Sequence, residues 1–410
     1  MATISVPSCG LTDVQNAINS AASMDILIIP SGSASWTGQL TINKLLDIRF
    51  DPNSIIIDNY PDGDLIVVTE QINGSIKIRG GRFIYGTGPI VSIPYHYFHI
   101  FYTAGGHPVV CTDMFFDCGF GANCFGLNTN RGVIARSSAI SGCSGGTCGN
   151  SSSFVRLKPI GLGDVWNRPH LWGSRDTQQN QSLFVENCTL FNVFEGVDID
   201  DNGTCVIRRC NFTNSGIVLH GIDTGFDGAR ACEIYDNNLL ADMVTVQCAP
   251  DLPAGTNSMV RVRSGTIKLF NNLIQDITSP AWGDKNETSY ACDELRRNAG
   301  RFPCWSGGYP SFHQTGWGYT VGGTSVGGQF QDLEPIYIWN NTGAGNYNSP
   351  TIIDYTPNEC GGGAATITDF VQLGREVILG TAPNYSPASY PHPLLINEER
   401  KVTLMGAGAV

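Results

Sequence analysis

Short runs that alternate apolar and polar residues, each closed by a polar pair, recur along the middle of the chain. FVENCTLF starts at Phe184, VIRRCNFT at Val206, EIYDNNLL at Glu233 and KLFNNLIQ at Lys268, at steps of 22, 27 and 35 residues. A fifth copy, YIWNNTGA, starts at Tyr337, and a looser one, IKIRGGRF, at Ile76. Alternation with period two turns one face of each run inward, as in a strand. The polar pair falls where the chain must bend. Asn tolerates the left-handed conformation there, and its amide can bond the Asn of the neighbouring repeat. Repeats of this length, with short strands and Asn or Gly turns, predict a solenoid whose coils stack as a parallel β-helix.

The flanking pattern completes an all-β, single-domain architecture. Leu11, Val14, Ile18 and Ala21 share one helical face, which predicts a short helix over residues 12–22 capped by Thr12 or Asp13. Residues 1–24 would then close one end of the solenoid, where strand edges lack partners. Residues 25–395 are expected to form the β-helix, and 396–410 a tail. Further strands are predicted at 26–30, 40–51, 54–57, 65–68, 75–85, 90–93 and 154–157. Long lateral loops interrupt the pattern near 98–165 and 278–330, and insertions of that length are usually functional. Residues 382–393, rich in Tyr and Pro, are expected to lie extended along the outside.

Composition narrows the partners. The chain has 410 residues, 49 of them Gly, with only 15% charged residues and a net charge of −12. No Lys/Arg-rich run is present, which excludes nucleic acid as an expected partner. No run of about 20 apolar residues exists to span a membrane. Fourteen cysteines are many for an intracellular enzyme. Their spacing does not suit zinc, and no metal site is expected. Loop disulfides such as Cys143–Cys148 or Cys292–Cys304 suit a protein outside cells, whereas Cys205 and Cys210 fall on strands as small core residues. Residues 1–10 have neither a basic start nor an apolar core, so no secretory signal is expected.

The phrases ending in Asn pairs, the opening over residues 11–44 and the SYPHPL at Ser389–Leu394 resemble right-handed parallel β-helix proteins of the pectate-lyase-like type. The resemblance implies a right-handed, single-stranded parallel β-helix with an N-terminal helix cap and long lateral loops. It leaves function open, because such proteins include polysaccharide lyases, glycoside hydrolases, phage tailspikes and virion decoration proteins.

One set of polar residues follows the regular repeats. Asp198, Asp200 and Asp201 end one coil, His220 and Asp223 the next, and Arg261 and Arg263 lie on a later strand. Equivalent points on successive coils stack about 4.8 Å apart, so these residues could form one column. Asp200, Asp201, His220, Arg261 and Arg263 are the candidate catalytic residues. Paired carboxylates can act as acid and base on a glycosidic bond, and an Arg pair can hold a uronate carboxylate. The arrangement is similar to polygalacturonase-type hydrolases. Asp200 and Asp201 match their Asp pair, His220 and Gly221 their His-Gly, and Arg261 with Arg263 their basic pair. Leu219 stands where that pattern has Gly, Arg263 where it has Lys, and the upstream Asn-Thr-Asp is missing. A lyase would instead need a base such as Arg261 and would use Ca²⁺, held by Asp198, Asp200 and Asp223, against a uronate carboxylate. No other cofactor is expected. Asp-rich coil ends are also ordinary turn formers. Trp166, Trp172, Trp282, Trp305 and Trp317 are candidate glycan-stacking residues, or they pack the lateral loops.

Three features favour a phage or virus-like surface protein, built as a spike, fibre or capsid decoration. These are the missing signal, the cap beginning near Met1 and the incomplete hydrolase pattern. Its partners would be host glycans and other virion proteins, on a virion surface or otherwise outside cells, and a homotrimer suits such spikes. The alternatives are a secreted lyase or hydrolase acting on an acidic polysaccharide and a bacterial surface adhesin. Whether the chain is an enzyme stays open at this level.

Overall fold

The computed structural model describes residues 1–61, 63–69, 74–86, 99–104, 106–119, 123–141, 153–159, 169–173, 182–193, 195–221, 228–241, 260–276, 289–291, 309–310, 313–326, 329–343, 351–353 and 371–396. Among these, three parallel sheets of twelve, ten and eight strands take successive strands in rotation, so the chain climbs one coil per circuit. This is the parallel β-helix that the repeats predict.

Backbone pairing joins the repeats residue for residue. Phe184 pairs with Val206, Val206 with Glu233, Glu233 with Lys268 and Lys268 with Tyr337. The looser copy at Ile76 belongs to the same ladder one residue out of phase, because Ile76 leads through Val109 and Gly132 to Leu183. The stretches 40–51 and 75–85 each divide into two strands at a coil corner. At the second corner Gly80 has φ +70°, and a Cβ there would meet the Phe50 carbonyl oxygen at 2.2 Å. Only glycine fits so close an approach.

The two members of each polar pair do different work. The first takes the left-handed bend, with φ of 54° at Asn187, 56° at Asp236, 56° at Asn271 and 53° at Asn340. The second points inward and bonds the next coil. Asn237 Nδ2 donates to Asn272 Oδ1 at 3.0 Å, and Asn272 Nδ2 donates to Asn341 Oδ1 at 2.9 Å. The same oxygens accept the backbone N–H groups of Asn237 and Asn272. A buried turn therefore leaves no amide unsatisfied along this ladder, which would otherwise cost about 1–3 kcal/mol per group.

Inside, apolar residues stack coil on coil. Phe83 lies 5.5 Å from Phe116, Phe116 4.9 Å from Phe125 and Phe125 5.4 Å from Phe154, centroid to centroid. The eight described cysteines are all buried, Cys205 and Cys210 among them. Cys143, Cys148, Cys292 and Cys304 lie outside the described residues.

The N-terminal segment differs in detail from expectation. The helix spans Leu11–Ser20 and buries Val14, Ala17 and Ile18, but Gly10, not Thr12 or Asp13, occupies its N-cap. Asp13 instead accepts a bond from Ser8 Oγ at 2.5 Å. Thr3–Ser5 precedes the helix as a strand of the twelve-stranded sheet. No helix among the described residues is long and apolar enough to cross a membrane.

Two segments pack on the outside. Within the insertion near 278–330, Trp317–Val326 pairs antiparallel with Gln329–Leu333. The C-terminal stretch runs across the outer face of the twelve-stranded sheet. There Arg208, paired with Glu186 and wholly buried, donates to the carbonyls of Ala388 and Ser389 at 2.6 and 3.1 Å. Phe184 meets His392 at 4.5 Å, and Asn187 Nδ2 donates to Tyr390 Oη at 2.7 Å.

The Asn ladder is directly testable. Asn272→Ala is expected to lower unfolding free energy by about 1–3 kcal/mol, because it strips partners from buried amides on two coils. Asn271→Gly, at the left-handed position, should change it by a few tenths at most. Denaturant titration of both variants checks the contrast.

Candidate active site

The site grows from five consecutive strands of the eight-stranded sheet: Asn123–Leu127, Ser153–Leu157, Glu195–Ile199, Ile217–Leu219 and Val260–Val262. Every second residue of the last four enters the core, namely Val155, Leu157, Val197, Ile199, Ile217, Leu219, Val260 and Val262. The residues between them therefore face outward.

Two outward columns result. In the first, Arg156 pairs with Asp198, Asp198 with Val218 and Val218 with Arg261. The second continues the ladder two residues further. Asp200 N bonds Leu157 O, His220 N bonds Ile199 O and Arg263 N bonds Leu219 O, at 2.8, 2.8 and 2.9 Å. Lys158, Asp200, His220 and Arg263 thus follow one another at a spacing of about 4.8 Å. A coil of carboxylates lies between a basic coil and a His/Arg side, and opposite charges on neighbouring strands attract.

The side chains use this register. Lys158 Nζ lies 3.1 Å from Asp200 Oδ2 and 3.2 Å from Asp201 Oδ2. Arg156 Nε lies 3.5 Å from Asp198 Oδ2. His220 Nε2 lies 2.9 Å from Asp198 Oδ1 and 3.7 Å from Glu195 Oε1. On the other edge of the ring, Arg263 Nη1 donates to His220 Nδ1 at 2.8 Å. Arginine has no lone pair to offer, so this contact requires Nδ1 unprotonated and places the ring proton on Nε2, toward Asp198.

Competing forces act on that ring. Burial lowers the basicity of His220, but the charge of Asp198 and hydrogen bonds to Asp198 and Glu195 outweigh it and pull the pKa up to about 10, against Arg263. A second ring proton and the Arg263 contact exclude each other, since both need Nδ1. The Arg263-bound ring is therefore the form above that titration; below it Nδ1 carries a proton and the two groups stand off. Burial raises the Asp198 carboxyl, yet His220, Arg156 and Lys158 hold it below the usual range. Burial, with the charges of Asp198 and Asp201, raises the Asp200 carboxyl despite His220 and Lys158.

These contacts sort the expected site residues. His220 and Arg263 meet directly, and Arg261 stands beside them on the outward face. Asp200 and Asp201 are 0% and 2% exposed and both grip Lys158, so neither presents a carboxyl to a glycosidic bond. Asp201 and its neighbour Asn202 also form the bend, with φ of 34° and 68°. The acid and base expected from the polygalacturonase-like pattern are thus buried and ion-paired in this structure. Asp223 lies outside the described residues, as do Trp166, Trp282 and Trp305.

The two described tryptophans of the expected set pack the protein. Trp172 donates from Nε1 to Glu334 Oε1 at 2.6 Å, and Lys268 Nζ sits 3.1 Å from its ring centroid. Trp317 is 6% exposed and lies against Tyr309, so it offers no open face to a sugar.

Glu195, Asp198 and His220 offer ligand atoms all within 4.8 Å of one another. A divalent ion there would need the Nε2 lone pair, which moves the ring proton to Nδ1 and opposes it to Arg263. The donor set therefore fits an ion only if Arg263 withdraws.

Arg156, Lys158 and Glu195 escaped the sequence reading. A signal for the first two was present, since RLK at 156–158 repeats the spacing of RVR at 261–263. Glu195 carries no such mark, because it opens its strand and reaches His220 from the side.

No family model and no curated protein matches the sequence. Among solved structures, a mutant of the PL6 family alginate lyase AlyGC is similar at 13% identity and a TM-score of 0.32, over 71% of this chain. The match spans 39% of that chain. At that level the likeness assigns neither family nor activity.

Removing Lys158 leaves two buried carboxylates short of their shared cation. Lys158→Met is expected to cost about 3 kcal/mol, and adding Asp200→Asn should recover part of it, measured by denaturant unfolding of the single and double variants.

Proposed function

We propose that the outward columns form the active site of a lyase that cleaves an acidic polysaccharide by β-elimination, with His220 as base. The observation that carries this is the chain Asp198–His220–Arg263, in which a carboxylate holds one ring nitrogen and a guanidinium the other. In this reading a uronate carboxylate draws Arg263 off the ring and is neutralised by it together with Arg261. Neutralisation acidifies the proton on the carbon next to that carboxylate. His220 Nδ1, freed at that moment, accepts the proton, while Asp198 keeps the ring oriented through Nε2–H and stabilises the imidazolium. The electron pair left behind forms a C=C bond and expels the glycosidic oxygen, which takes a proton from water. Arg156 and Lys158 continue the basic surface along the next coil, where an adjoining acidic sugar would lie. Such a substrate places the protein's work outside cells.

A hydrolase draws less support, because its two carboxyls would have to reach the glycosidic bond and Asp200 and Asp201 are buried on Lys158. A spike, fibre, decoration or adhesin role draws support from sequence features alone and calls for none of these polar contacts.

Incubation with alginate, pectate and other uronans is expected to yield unsaturated uronides, followed by their ultraviolet absorbance. His220→Ala should reduce the rate by about 10²-fold or more with an unchanged fold by circular dichroism. Reducing ends without unsaturation would show hydrolysis instead, and silence on every uronan would sink the proposal.

The pH profile gives a second check. Asp198 raises the basicity of His220, so activity should climb as pH rises through the ring's titration. Asp198→Asn removes that influence and should move the ascending limb of kcat/KM to lower pH. An unmoved limb would show that His220 is not the titrating base.

A further inference from the structure

Cys118 and Cys124 meet at a turn between two of the sheets. Cys118 follows the Phe115–Asp117 strand of the ten-stranded sheet, and Cys124 lies in the Asn123–Leu127 strand of the eight-stranded sheet. They face each other across a coil corner, both wholly buried, with their sulfurs 2.7 Å apart. Even carbon atoms in ordinary contact rest about 3.5–4.0 Å apart, and sulfur is larger. Cys188 and Cys210 also neighbour each other, but their thiols have backbone partners as well. Cys188 donates to the carbonyls of Ile134 and Glu186, at 3.7 and 3.4 Å, and Cys210 to those of Val185 and Arg208, at 3.5 and 3.3 Å. Their sulfurs are thus shared between a neighbouring thiol and the backbone. Each sulfur of the Cys118–Cys124 pair has the other as its neighbour.

We propose that Cys118 and Cys124 form a disulfide that staples the corner between two sheets. The bond would anchor the coil directly beneath the one that carries Arg156 and Lys158, since Phe125, Gly126 and Leu127 pair with Val155, Arg156 and Leu157. A small disulfide such as oxidised glutathione serves as oxidant. One cysteine thiolate attacks it and releases one reduced glutathione. The second thiolate then attacks the mixed disulfide, releasing another, so two thiols lose two protons and two electrons to the reagent. Burial, then the hydrogen bond and charge of Cys118, pushes the Cys124 thiol up, which leaves little thiolate in the folded chain. The exchange therefore belongs to folding, before the corner closes, and the finished bond is shielded from reductant. An oxidising compartment is implied. This inference does not depend on the glycan chemistry.

The test needs no variant. Trypsin releases residues 83–131 as one peptide that holds three cysteines, Cys111, Cys118 and Cys124. The full chain is refolded with oxidised and reduced glutathione, then unfolded in an alkylating reagent, digested and weighed. The peptide should carry one label, on Cys111, and weigh two hydrogens less at the unlabelled pair. Prior reduction should give three labels and a lower denaturant midpoint for the intact protein. Three labels without reduction, or a bond that includes Cys111, would overturn the proposal. Cys124→Ser provides the control, since it should free Cys118 for labelling.

Discussion

Parallel backbone pairing between successive coils is the constraint on which everything else rests. Each strand bonds the strand one circuit earlier and one circuit later, so a residue's partners are set by register and not by sequence distance. His220 and Asp198 meet because Ile199 and Leu219 are paired, and Arg263 meets His220 because Leu219 and Val262 are paired. A slip of one residue would turn every inward Val, Ile and Leu outward and bury the charges instead. Core burial thereby fixes the register, and the register fixes the site.

The polar column exists at a cost that its own pairing offsets. Asp198, Asp200 and Asp201 are almost fully buried, and an ionised carboxylate removed from water costs several kcal/mol unless partnered. Arg156, Lys158 and His220 supply the partners from neighbouring coils, without any loop having to reach across. The arrangement also separates roles. The two deeper aspartates anchor Lys158, while Asp198 acts on His220. Because that ring has an acceptor on one edge and a donor on the other, it can exchange a guanidinium for a proton without leaving its place. On the twelve-stranded sheet, Arg208 and Glu186 show the same device put to structural use, where a buried ion pair holds the C-terminal stretch.

Much of this was legible in the repeats. The starts of the phrases at Phe184, Val206, Glu233, Lys268 and Tyr337 are the residues that pair in space, because unequal loops bulge sideways and leave the strands aligned. The grouping of His220, Arg261 and Arg263 followed from the same alignment. Less visible were the features set by side-chain direction and depth. Asp200 and Asp201 read as an open carboxylate pair, but nothing in DIDDNG announces that Lys158, some forty residues earlier, closes over them. Trp172 read equally as a sugar platform or as loop packing, and its partner Glu334 is 162 residues away. The helix cap falls on Gly10 without a side-chain bond, which leaves Thr12 and Asp13 inside the first turn.

With Arg263 on Nδ1, His220 is a neutral ring that carries its proton on Nε2, the edge facing Asp198. Nitrogen-15 NMR of the imidazole at a pH above the ring's titration tests this state most directly. One protonated nitrogen, Nε2, and one hydrogen-bonded acceptor, Nδ1, are expected, with the acceptor signal shifting when Arg263 is replaced by Gln. A ring protonated on both nitrogens, or one carrying its proton on Nδ1, would contradict it.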